Sequence, residues 1–452
     1  MSTTIYNAYQ EYKESNVEWI ASIPKHWKVD RFKYGIDLIE SGKRLSVDNS
    51  EVLSIGGEHI GNDGKLRLEN LKYVSYEFYK NSNKGRVARG DILIVKDGAT
   101  IGKTAYVSDE VKQKMLLNEH VYRVVSDKYD YYYILSTYFQ AKIWSGNNSS
   151  AQEGLNLSTI NNIPHLSPSI EEKRKIANFL DYETAKIDIL IDKQQQLIKL
   201  LKEKRQAVIS HAVTKGLNPD APMRNSGVEW LGEVPQHWGI PKIKWFYKTE
   251  SGGTPNTSNY EGYYQDGDIP WIRTTDLNNG ELFETPVSIT EKAVIDSACS
   301  TLPINSVLVA MYGGAGTIGK HSILKFKSTI NQAVCAILPN DKIIPEYLHL
   351  YVEFYRPYWM VGAEGTRKDP NINQEVVREL MVPCPSNSEQ VDIVKFTKNK
   401  LAVIDGTVSK SELNIKLMQE RRTTLISAAV TGKIDVRNWV APESSNTNKE
   451  VA

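Results

Sequence analysis

The segment NVEWIASIPKHW, from Asn16 to Trp27, returns later in the chain as GVEWLGEVPQHW, from Gly227 to Trp238. The Val-Glu-Trp, Pro and His-Trp positions of the two segments are related by a constant offset of 211 residues. Further matches follow in the same order: Glu40-Ser41-Gly42 with Glu250-Ser251-Gly252, Ile101-Gly102-Lys103 with Ile318-Gly319-Lys320, Asn118 with Asn331, and residues 207–217 with 424–434. Solenoid repeats are much shorter than this. The sequence therefore predicts two domains of one kind, related by a pseudo-twofold axis.

Each copy has two parts of different composition. The first part, about 16–168 and 227–387, mixes short β-type runs with Gly, Asn and Asp turns and carries one helical stretch, near 131–140 or 346–355. This texture is typical of a compact α+β domain. The second part, about 170–213 and 388–430, is almost free of Gly and Pro and rich in Lys, Glu and Gln. It predicts one long helix in each copy.

Apolar residues recur along both helices at heptad spacing. The positions that form this seam are Ile187, Ile191, Ile198 and Leu201 in one helix and Ile404, Val408, Ile415 and Met418 in the other. Polar positions of the seam also match, Gln194 with Ser411 and Arg205 with Arg422. We expect the two helices to pack on each other as an antiparallel coiled coil. The alternative, that each helix covers only its own domain, stays open at this point.

The predicted fold class is therefore α+β: two pseudo-twofold-related domains separated by two long helices. The predicted modules are a first domain with its N-terminal segment (1–168), a first helical region (169–216), a second domain (217–387), a second helical region (388–434) and a polar C-terminal tail (435–452).

The composition is that of an ordinary globular protein, with 40% hydrophobic and 24% charged residues and a net charge of +1. The sequence shows neither a secretion signal nor an apolar run of membrane-spanning length, so we expect a cytoplasmic protein. Cys299, Cys335 and Cys384 have no paired spacing and are predicted to be core residues. The near-zero net charge gives no indication of a nucleic-acid partner, so such a role must rest on local features.

The segments DGATIGKT (97–104) and GGAGTIGKHS (313–322) resemble phosphate-binding loops, but neither is complete. The residues that follow each one predict a strand, whereas a nucleotide loop opens a helix. The eight histidines show no metal-ligand spacing, and no methyltransferase motif is present. We therefore predict a non-catalytic chain that binds no metal or cofactor itself.

Taken together, several motifs resemble the specificity subunit of type I restriction-modification systems. They are the repeated VEW…P…HW phrase, SGGTPNTSNYEGYYQDGDIPWIRTTDL (251–277), the shared IGK, and VPCPSNSEQ (382–390) leading into a long helix. The resemblance covers almost the entire chain, twice. The first half departs from it, because ESGKRLSVDNS (40–50) lacks Gly-Thr-Pro, and Glu172 precedes Lys173 where Glu389 precedes Gln390.

The resemblance implies two target-recognition domains, each reading one half of a bipartite double-stranded DNA site. It implies that the helices set the spacer and dock two methyltransferase (modification) subunits, which restriction and translocase subunits join. S-adenosylmethionine, ATP and magnesium are then expected on those partners and not on this chain.

Two stretches that differ between the copies are candidate reading tips: SIGGEHIGNDG (54–64) against WIRTTDLNNG (271–280), and SSAQEGLN (149–156) against AEGTRKDPN (363–371). Arg, Lys, Asn, Ser and Thr are the side chains that read base edges, whereas contacts to phosphate only position a protein. The predicted DNA contacts are Arg44, Lys103, Arg273, Thr274, Thr275, Lys320, Arg367, Lys368 and Asn371. Lys103 and Lys320 are shared by both copies and so suit phosphate better than bases.

Two other interpretations remain. A coiled-coil scaffold protein without DNA readout would explain the heptads, but not why the heads share a scaffold and differ at polar tips. A self-sufficient DNA-binding regulator is disfavoured by the near-neutral charge and by the absence of a helix-turn-helix signature. The sequence does not reveal the target bases.

Overall fold

The computed structural model describes residues 6–44, 51–69, 71–108, 113–145, 154–297, 299–313, 316–361 and 371–442. The chain divides into two compact units. The first unit contains residues 1–195 and 412–452, and the second unit contains residues 196–411. Each long helix is thus shared between the units, with one half in each.

The first unit is built from short strands and helices. Its strands are β1 (Tyr12–Val17), β2 (Ile20–Pro24), β3 (Lys28–Arg31), β4 (Leu38–Ser41), β5 (Val52–Ile55), β6 (Lys72–Val74), β7 (Arg86–Val87), β8 (Ile92–Val95), β9 (Thr104–Tyr106), β10 (Met115–Leu117), β11 (Val121–Val125) and β12 (Pro164–Ser167). Its short helices are α1 (Phe32–Gly35), α2 (Tyr76–Asn81), α3 (Lys128–Leu135), α4 (Thr137–Ser145) and α5 (Leu157–Asn162), with a 3₁₀ turn at Gly57–His59.

The long helices are α6 (Ile170–Lys215) and α11 (Asn387–Val430). The second unit has strands β13 (Met223–Asn225), β14 (Glu233–Pro235), β15 (Thr249–Ser251), β16 (Ile269–Ile272), β17 (Glu281–Leu282), β18 (Ser288–Ile289), β19 (Val307–Ala310), β20 (His321–Leu324), β21 (Thr329–Ile330) and β22 (Val334–Ile337). Its short helices are α7 (Tyr260–Tyr263), α8 (Glu291–Asp296), α9 (Pro345–Val361) and α10 (Gln374–Arg378), with 3₁₀ turns at Ile243–Trp245 and Thr257–Asn259.

The two units repeat the same strand pairings, which confirms the predicted pair of α+β domains. One sheet has the order β4-β11-β8-β9 in the first unit and β15-β22-β19-β20-β17 in the second. The other sheet contains a parallel pair, β5 with β10 in the first unit and β16 with β21 in the second. One difference is that the single helix expected near 131–140 is interrupted at Ser136, which lies between α3 and α4, whereas α9 is continuous.

The two long helices contact each other in both units. In the first unit, Ile187 of α6 is buried in one cluster with Leu425 of α11, and Ile191 and Met418 pack against that cluster. In the second unit, the C-terminal half of α6 packs on the N-terminal half of α11. The helices therefore run antiparallel, as predicted, and they do more than cover their own domains. Of the remaining seam positions, Ile404 is buried, and Ile198, Leu201, Val408 and Ile415 are half-buried.

The arginines of the seam form ion pairs between the two helices. Arg422 Nε donates to Asp188 Oδ1 at 3.0 Å in the first unit, and Arg205 Nε donates to Asp405 Oδ1 at 3.1 Å in the second. In the second unit the arginine also bonds to Glu353 of α9. An ion pair satisfies only one relative placement of two helices, so the duplicated pair fixes the register.

The repeated phrase holds the start of each long helix. In the first unit, Trp27 Nε1 donates to Glu172 Oε1 at 3.0 Å, and His26 Nε2 lies 2.9 Å from Glu172 Oε2. Trp27 is fully buried and Glu172 is 4% exposed. Ser169 Oγ accepts from the N–H of Glu172 at 3.3 Å, so this glutamate belongs to a Ser-x-x-Glu helix start.

The second unit repeats this arrangement at the start of α11. Trp238 Nε1 donates to Glu389 Oε1 at 3.4 Å, and His237 Nε2 lies 2.8 Å from the same oxygen. Burial raises the pKa of Glu389, but hydrogen bonds from His237, Ser386 and Trp238 outweigh it and lower the pKa to about 2. The phrase therefore recurs because the start of each long helix is held by the same Trp–His–Glu contacts.

The same tryptophans also contact the end of the opposite helix. Gly432 follows α11 with φ 75° and Gly216 follows α6 with φ 74°, the left-handed conformation of a helix C-terminus. A Cβ at Gly432 would lie 2.3 Å from Pro24 Cδ and 3.3 Å from Trp27 Cζ3, and one at Gly216 would lie 3.1 Å from Trp238 Cζ2. Each phrase thus joins the start of one long helix to the end of the other.

The segment after α11 packs against the N-terminal segment within the first unit. The N–H of Asp435 donates to the carbonyl of Asn7 at 2.7 Å, and Trp439 lies edge-to-face with Phe179 at 5.4 Å. Val436 is 1% exposed. The first residues of the predicted polar tail (435–452) are therefore part of the fold, because their apolar side chains fill the surface beside α6. Within the part of the chain that the structure describes, none of the helices has the length and apolar character to cross a membrane.

Replacing Trp27 with Phe should destabilise the first unit by roughly 2–4 kcal/mol, because it removes the Trp27 hydrogen bond to the buried Glu172 carboxylate, which keeps only Tyr9 and His26 as partners, and opens a cavity. Trp19 is the control, since it belongs to the same phrase but is 59% exposed. Trp19→Phe should cost less than about 1 kcal/mol. Urea unfolding followed by far-UV circular dichroism measures both. Equal losses of unfolding free energy would show that the contact between Trp27 and Glu172 adds no particular stability.

Candidate nucleic-acid interface

The ends of the parallel strands organise one edge of each unit. The N–H of Asn118, directly after β10, donates to the carbonyl of Ile55 at the end of β5, at 2.9 Å. The N–H of Asn331, directly after β21, donates to the carbonyl of Ile272 at the end of β16, also at 2.9 Å. The matched asparagines thus occupy the same structural position in the two units.

Several loops of the first unit meet at this edge, and we call them the first tip: 43–44, 56–59, 96–100 and 118–120. Lys43 bridges to Asn118, and the N–H of Lys96 donates to the carbonyl of His120 at 2.9 Å. His120 Nδ1 lies 2.9 Å from Asp97 Oδ2. A Cβ on Gly56 would lie 2.3 Å from Glu58 Oε2, so the absence of a side chain there lets Glu58 fold over the turn.

The second tip consists of the equivalent loops of the second unit: 253–254, 273–276, 311–313, 331–333 and 371–372. The N–H of Met311 donates to the carbonyl of Ala333 at 2.8 Å, and the N–H of Ile372 donates to the carbonyl of Met311 at 2.9 Å. Thr254 hydrogen-bonds to Gln332 across two of these loops.

One turn is built identically in both tips. In the first tip, the N–H of Gly56 donates to His59 Nδ1 at 3.0 Å. In the second tip, the N–H of Arg273 donates to Asp276 Oδ2 at 2.8 Å. In both turns the backbone N–H of the first residue donates to the side chain of the fourth residue, although the residue types differ.

The chemistry of the two tips differs on this common frame. At the matched turn the first tip presents the exposed carboxylate of Glu58, with the half-buried Asp97 in a neighbouring loop. The second tip presents hydrogen-bond donors, with the guanidinium of Arg273 half-exposed and Thr275 and Gln332 exposed. Carboxylates accept from the amino group of cytosine, and arginine donates to guanine, so the side chains of the two tips are suited to different bases.

The shared IGK segments form tight turns between strands, as the sequence predicts. They join β8 to β9 and β19 to β20, and Gly102 and Gly319 adopt φ values of 83° and 68°. The following Lys103 and Lys320 are half-buried at equivalent places beside the tips. A strand follows each turn, β9 in the first unit and β20 in the second, whereas a nucleotide-binding loop opens a helix.

The predicted DNA contacts fall into three groups. Arg44, Thr275 and Asn371 are exposed at the tips, while Lys103, Arg273 and Lys320 are partly exposed there. Thr274 is an exception, because it is only 8% exposed. Arg367 and Lys368 lie outside the described residues, as does most of the loop pair 149–156 and 363–371.

Sequence reasoning placed Glu58 and Asp276 within the candidate reading tips but did not name them as DNA contacts, and it did not select the seam aspartates Asp188 and Asp405. The two seam aspartates are related by the same offset of 217 residues as Arg205 and Arg422, and this was the signal that could have revealed them. The free cysteines are placed as expected, with Cys299 and Cys335 buried and Cys384 half-buried. Among the described residues, no group of three or more His, Cys, Asp or Glu side chains is arranged to hold a metal ion.

Comparison with known families identifies both halves of the chain. Residues 32–199 and 235–408 each match the family described as type I restriction modification DNA specificity domain, and together they make up most of the chain. The chain belongs to this family. Its duplicated architecture is thus a pair of DNA specificity domains, and the tips lie within the matched ranges.

Named relatives agree with this assignment. The specificity subunit of the type I restriction enzyme EcoBI from Escherichia coli is 26% identical over 90% of this chain and 89% of its own length. The MjaVIII specificity subunit of Methanocaldococcus jannaschii is 23% identical over 95% of this chain and 98% of its own length. The MjaIX specificity subunit of the same organism is 29% identical, but that similarity spans 42% of this chain and 44%, about half, of that protein.

Solved structures share the fold. A chain from a structure of a type I R-M system, solved to study complex assembly and conformational transition, matches with a TM-score of 0.70 over 91% of this chain and 99% of its own, at 11% identity. The HsdS subunit from Thermoanaerobacter tengcongensis matches with a TM-score of 0.50 over 91% of this chain and 98% of its own, at 12% identity.

If Lys103 and Lys320 contact phosphate, replacing either with Ala should weaken binding to every DNA sequence alike. Each lost contact should reduce the slope of log affinity against log salt by about 0.9, because one fewer counterion is released. Fluorescence anisotropy of the assembled complex at several salt concentrations measures the slope. A loss restricted to one base pair would instead make the lysine a base contact.

Proposed function

We propose that this chain is the sequence-reading subunit of a type I restriction-modification complex and that each tip reads one half of a bipartite DNA site. The observation that carries the proposal is the pair of tips: one backbone frame, with matched hydrogen bonds, carries different polar side chains in the two units. A frame that is kept while its exposed side chains change is what reading two different half-sites requires.

The physics of base recognition supports this function. Sequence is read mostly at base edges in the major groove, by side chains whose donors and acceptors match a base pair. Glu58 offers acceptors at one tip, and Arg273 offers donors at the other. The near-neutral net charge of +1 means that this chain alone supplies little nonspecific attraction to DNA. In this proposal, partner subunits therefore supply part of the nonspecific affinity for DNA.

The duplication also suggests the partners. Outside the tips the two units present equivalent elements, so a partner that binds one unit has a second equivalent surface on the other. Two methyltransferase subunits suit this symmetry, and restriction and translocase subunits join the resulting core. In this proposal the chain is non-catalytic and acts in the cytoplasm, while S-adenosylmethionine, ATP and magnesium bind to the partners.

The long helices are suited to fixing the distance between the half-sites. Helix α6 has 46 residues and α11 has 44. At about 1.5 Å per residue each is nearly 70 Å long, which is enough to span successive major-groove faces. The ion pairs Asp188–Arg422 and Arg205–Asp405 keep the two helices in one register and so make the length reproducible.

A coiled-coil scaffold without DNA readout is the alternative function, and it is less well supported. It would account for the antiparallel helices and their apolar seam. It gives no reason for the polar residues of the tips to differ while the hydrogen bonds beneath them are retained. The family of DNA specificity domains also disfavours it.

The primary test is reconstitution with the neighbouring methyltransferase, followed by mapping of methylated sites. The purified chain alone should neither methylate nor cleave DNA, whereas the complex should modify one bipartite sequence. Arg273→Ala should relax the half-site read by the second unit by about 1–3 kcal/mol of discrimination and leave the other half-site unchanged. Turnover by the isolated chain, or an equal loss at every position, would contradict the proposal.

Inserting one heptad after Leu197 and one after Asn414 should lengthen the spacer without changing the bases that are read. The insertion keeps the apolar seam in phase and adds about 10 Å to each helix. At roughly 3.4 Å per base pair, this corresponds to about three further base pairs between the half-sites. Site mapping of the reconstituted variant decides the point: an unchanged spacer would assign the distance to the partner subunits.

A further inference from the structure

The side chains of Arg273 and Asp276 form a closed pair within the second tip. Arg273 Nε lies 3.2 Å from Asp276 Oδ2, and Arg273 Nη2 lies 3.0 Å from Asp276 Oδ1. The carboxylate therefore occupies the side face of the guanidinium, which Nε and Nη2 define. The side chain of Asp276 is 7% exposed and that of Arg273 is 39% exposed.

Asp276 is itself firmly held. It accepts from the N–H of Arg273 at 2.8 Å, and the hydroxyls of Thr275 and Thr285 each lie 3.3 Å from one of its oxygens. Burial raises the pKa of this carboxyl, but the hydrogen bonds from Arg273 and Thr285 outweigh it, and the net pKa is lowered. Asp276 is thus ionised at neutral pH and fixed in place.

Among the described residues, the pairing leaves one face of Arg273 available. A guanidinium has five N–H donors, and the side-face contacts use one on Nε and one on Nη2. The remaining end face carries two parallel N–H groups, one on Nη1 and one on Nη2. Two parallel donors match O6 and N7 of guanine, which is the commonest specific contact between proteins and DNA.

The first tip shows that the backbone turn does not need this pair. There, His59 caps the turn through Nδ1, and position 56 is a glycine with no side chain to hold. A single acceptor atom is enough to form the turn. In the second tip the capping residue is a carboxylate, and it also binds the guanidinium. The ion pair is therefore an addition to the frame and not a requirement of it.

We propose that Asp276 is a positioning residue that presents the end face of Arg273 to a guanine in the half-site read by the second unit. The inference rests on the proposed function and specifies it further. A free arginine side chain loses rotational entropy when it binds, whereas a side chain already held in place loses less. The fixed orientation also disfavours bases that cannot accept two hydrogen bonds at this position.

Two substitutions separate positioning from folding. Asp276→Asn keeps an oxygen that can accept from the N–H of Arg273, and Asp276→His copies the turn that the first tip already uses. Both should lower the preference for one G·C pair by about tenfold, within the range that a bidentate contact provides. The other half-site is an internal control. Glu375→Gln is a control variant, because Glu375 pairs with Arg378 at the same sequence separation, at 3.4 Å, within helix α10.

The decisive readout is the double variant. Because Asp276 acts through Arg273, Asp276→Asn should produce no further loss of discrimination when Arg273 is already Ala. Competition binding of the reconstituted complex, against a set of single-base substitutions in both half-sites, measures all the variants. Thermal unfolding of each one identifies variants that fold poorly.

The outcomes distinguish the inference from the proposed function. If the wild-type complex shows no bipartite specificity, the proposed function fails. If the wild type is specific but both Asp276 variants keep full discrimination, only the inference fails, and Asp276 is a turn cap. A further loss in the Arg273→Ala background, or a uniform loss at all positions, would also overturn it.

Discussion

A glutamate at the start of each long helix, buried in the first unit and partly exposed in the second, is the contact on which the remainder of the fold depends. Glu172 and Glu389 each accept from a tryptophan of the repeated phrase, and the same tryptophan packs against the glycine that ends the opposite helix. One aromatic residue therefore joins two helix ends and the domain that carries it. The cost of burying a carboxylate is offset only when its donors are all in place, so the position of the helix is tightly defined.

In the middle of the two long helices, ion pairs and not apolar burial fix the register. The seam there is only half-buried at Ile198, Leu201 and Ile415, so apolar burial alone would tolerate sliding by a heptad. The ion pairs Asp188–Arg422 and Arg205–Asp405 add the constraint that hydrophobic contacts lack. Their contribution to stability is modest, because ion pairs that keep contact with solvent gain little free energy. Their contribution to register is larger, since a shifted helix breaks both interhelical pairs.

The sequence predicted the architecture because the repeat and the heptads are long-range patterns that survive local ambiguity. The antiparallel helices, the two α+β domains and the strands after the IGK turns all follow from such patterns. The interruption at Ser136 was not predictable, because a single serine in an otherwise helix-compatible stretch does not by itself end a helix. Thr274 shows the limit of predicting the site from sequence: it lies between two accessible residues, and only the folded turn reveals that it is buried. Likewise, Asp276 becomes a partner of Arg273 only once the turn has brought the two together.

Each unit joins the segment after a long helix to the segment that leads into the repeated phrase. This junction is made by the continuous main chain in the second unit and by noncovalent contacts in the first. After α6 the chain continues directly into β13, so the second unit is closed by the backbone itself. In the first unit the equivalent closure is made by residues from distant parts of the chain, through the bond between Asp435 and Asn7 and the contact of Trp439 with Phe179. Such a junction can open without breaking the main chain. The first unit therefore has a local opening reaction that the second lacks, and its amide protons near Asn7 and Asp435 will exchange with solvent through partial unfolding well below the free energy of global unfolding.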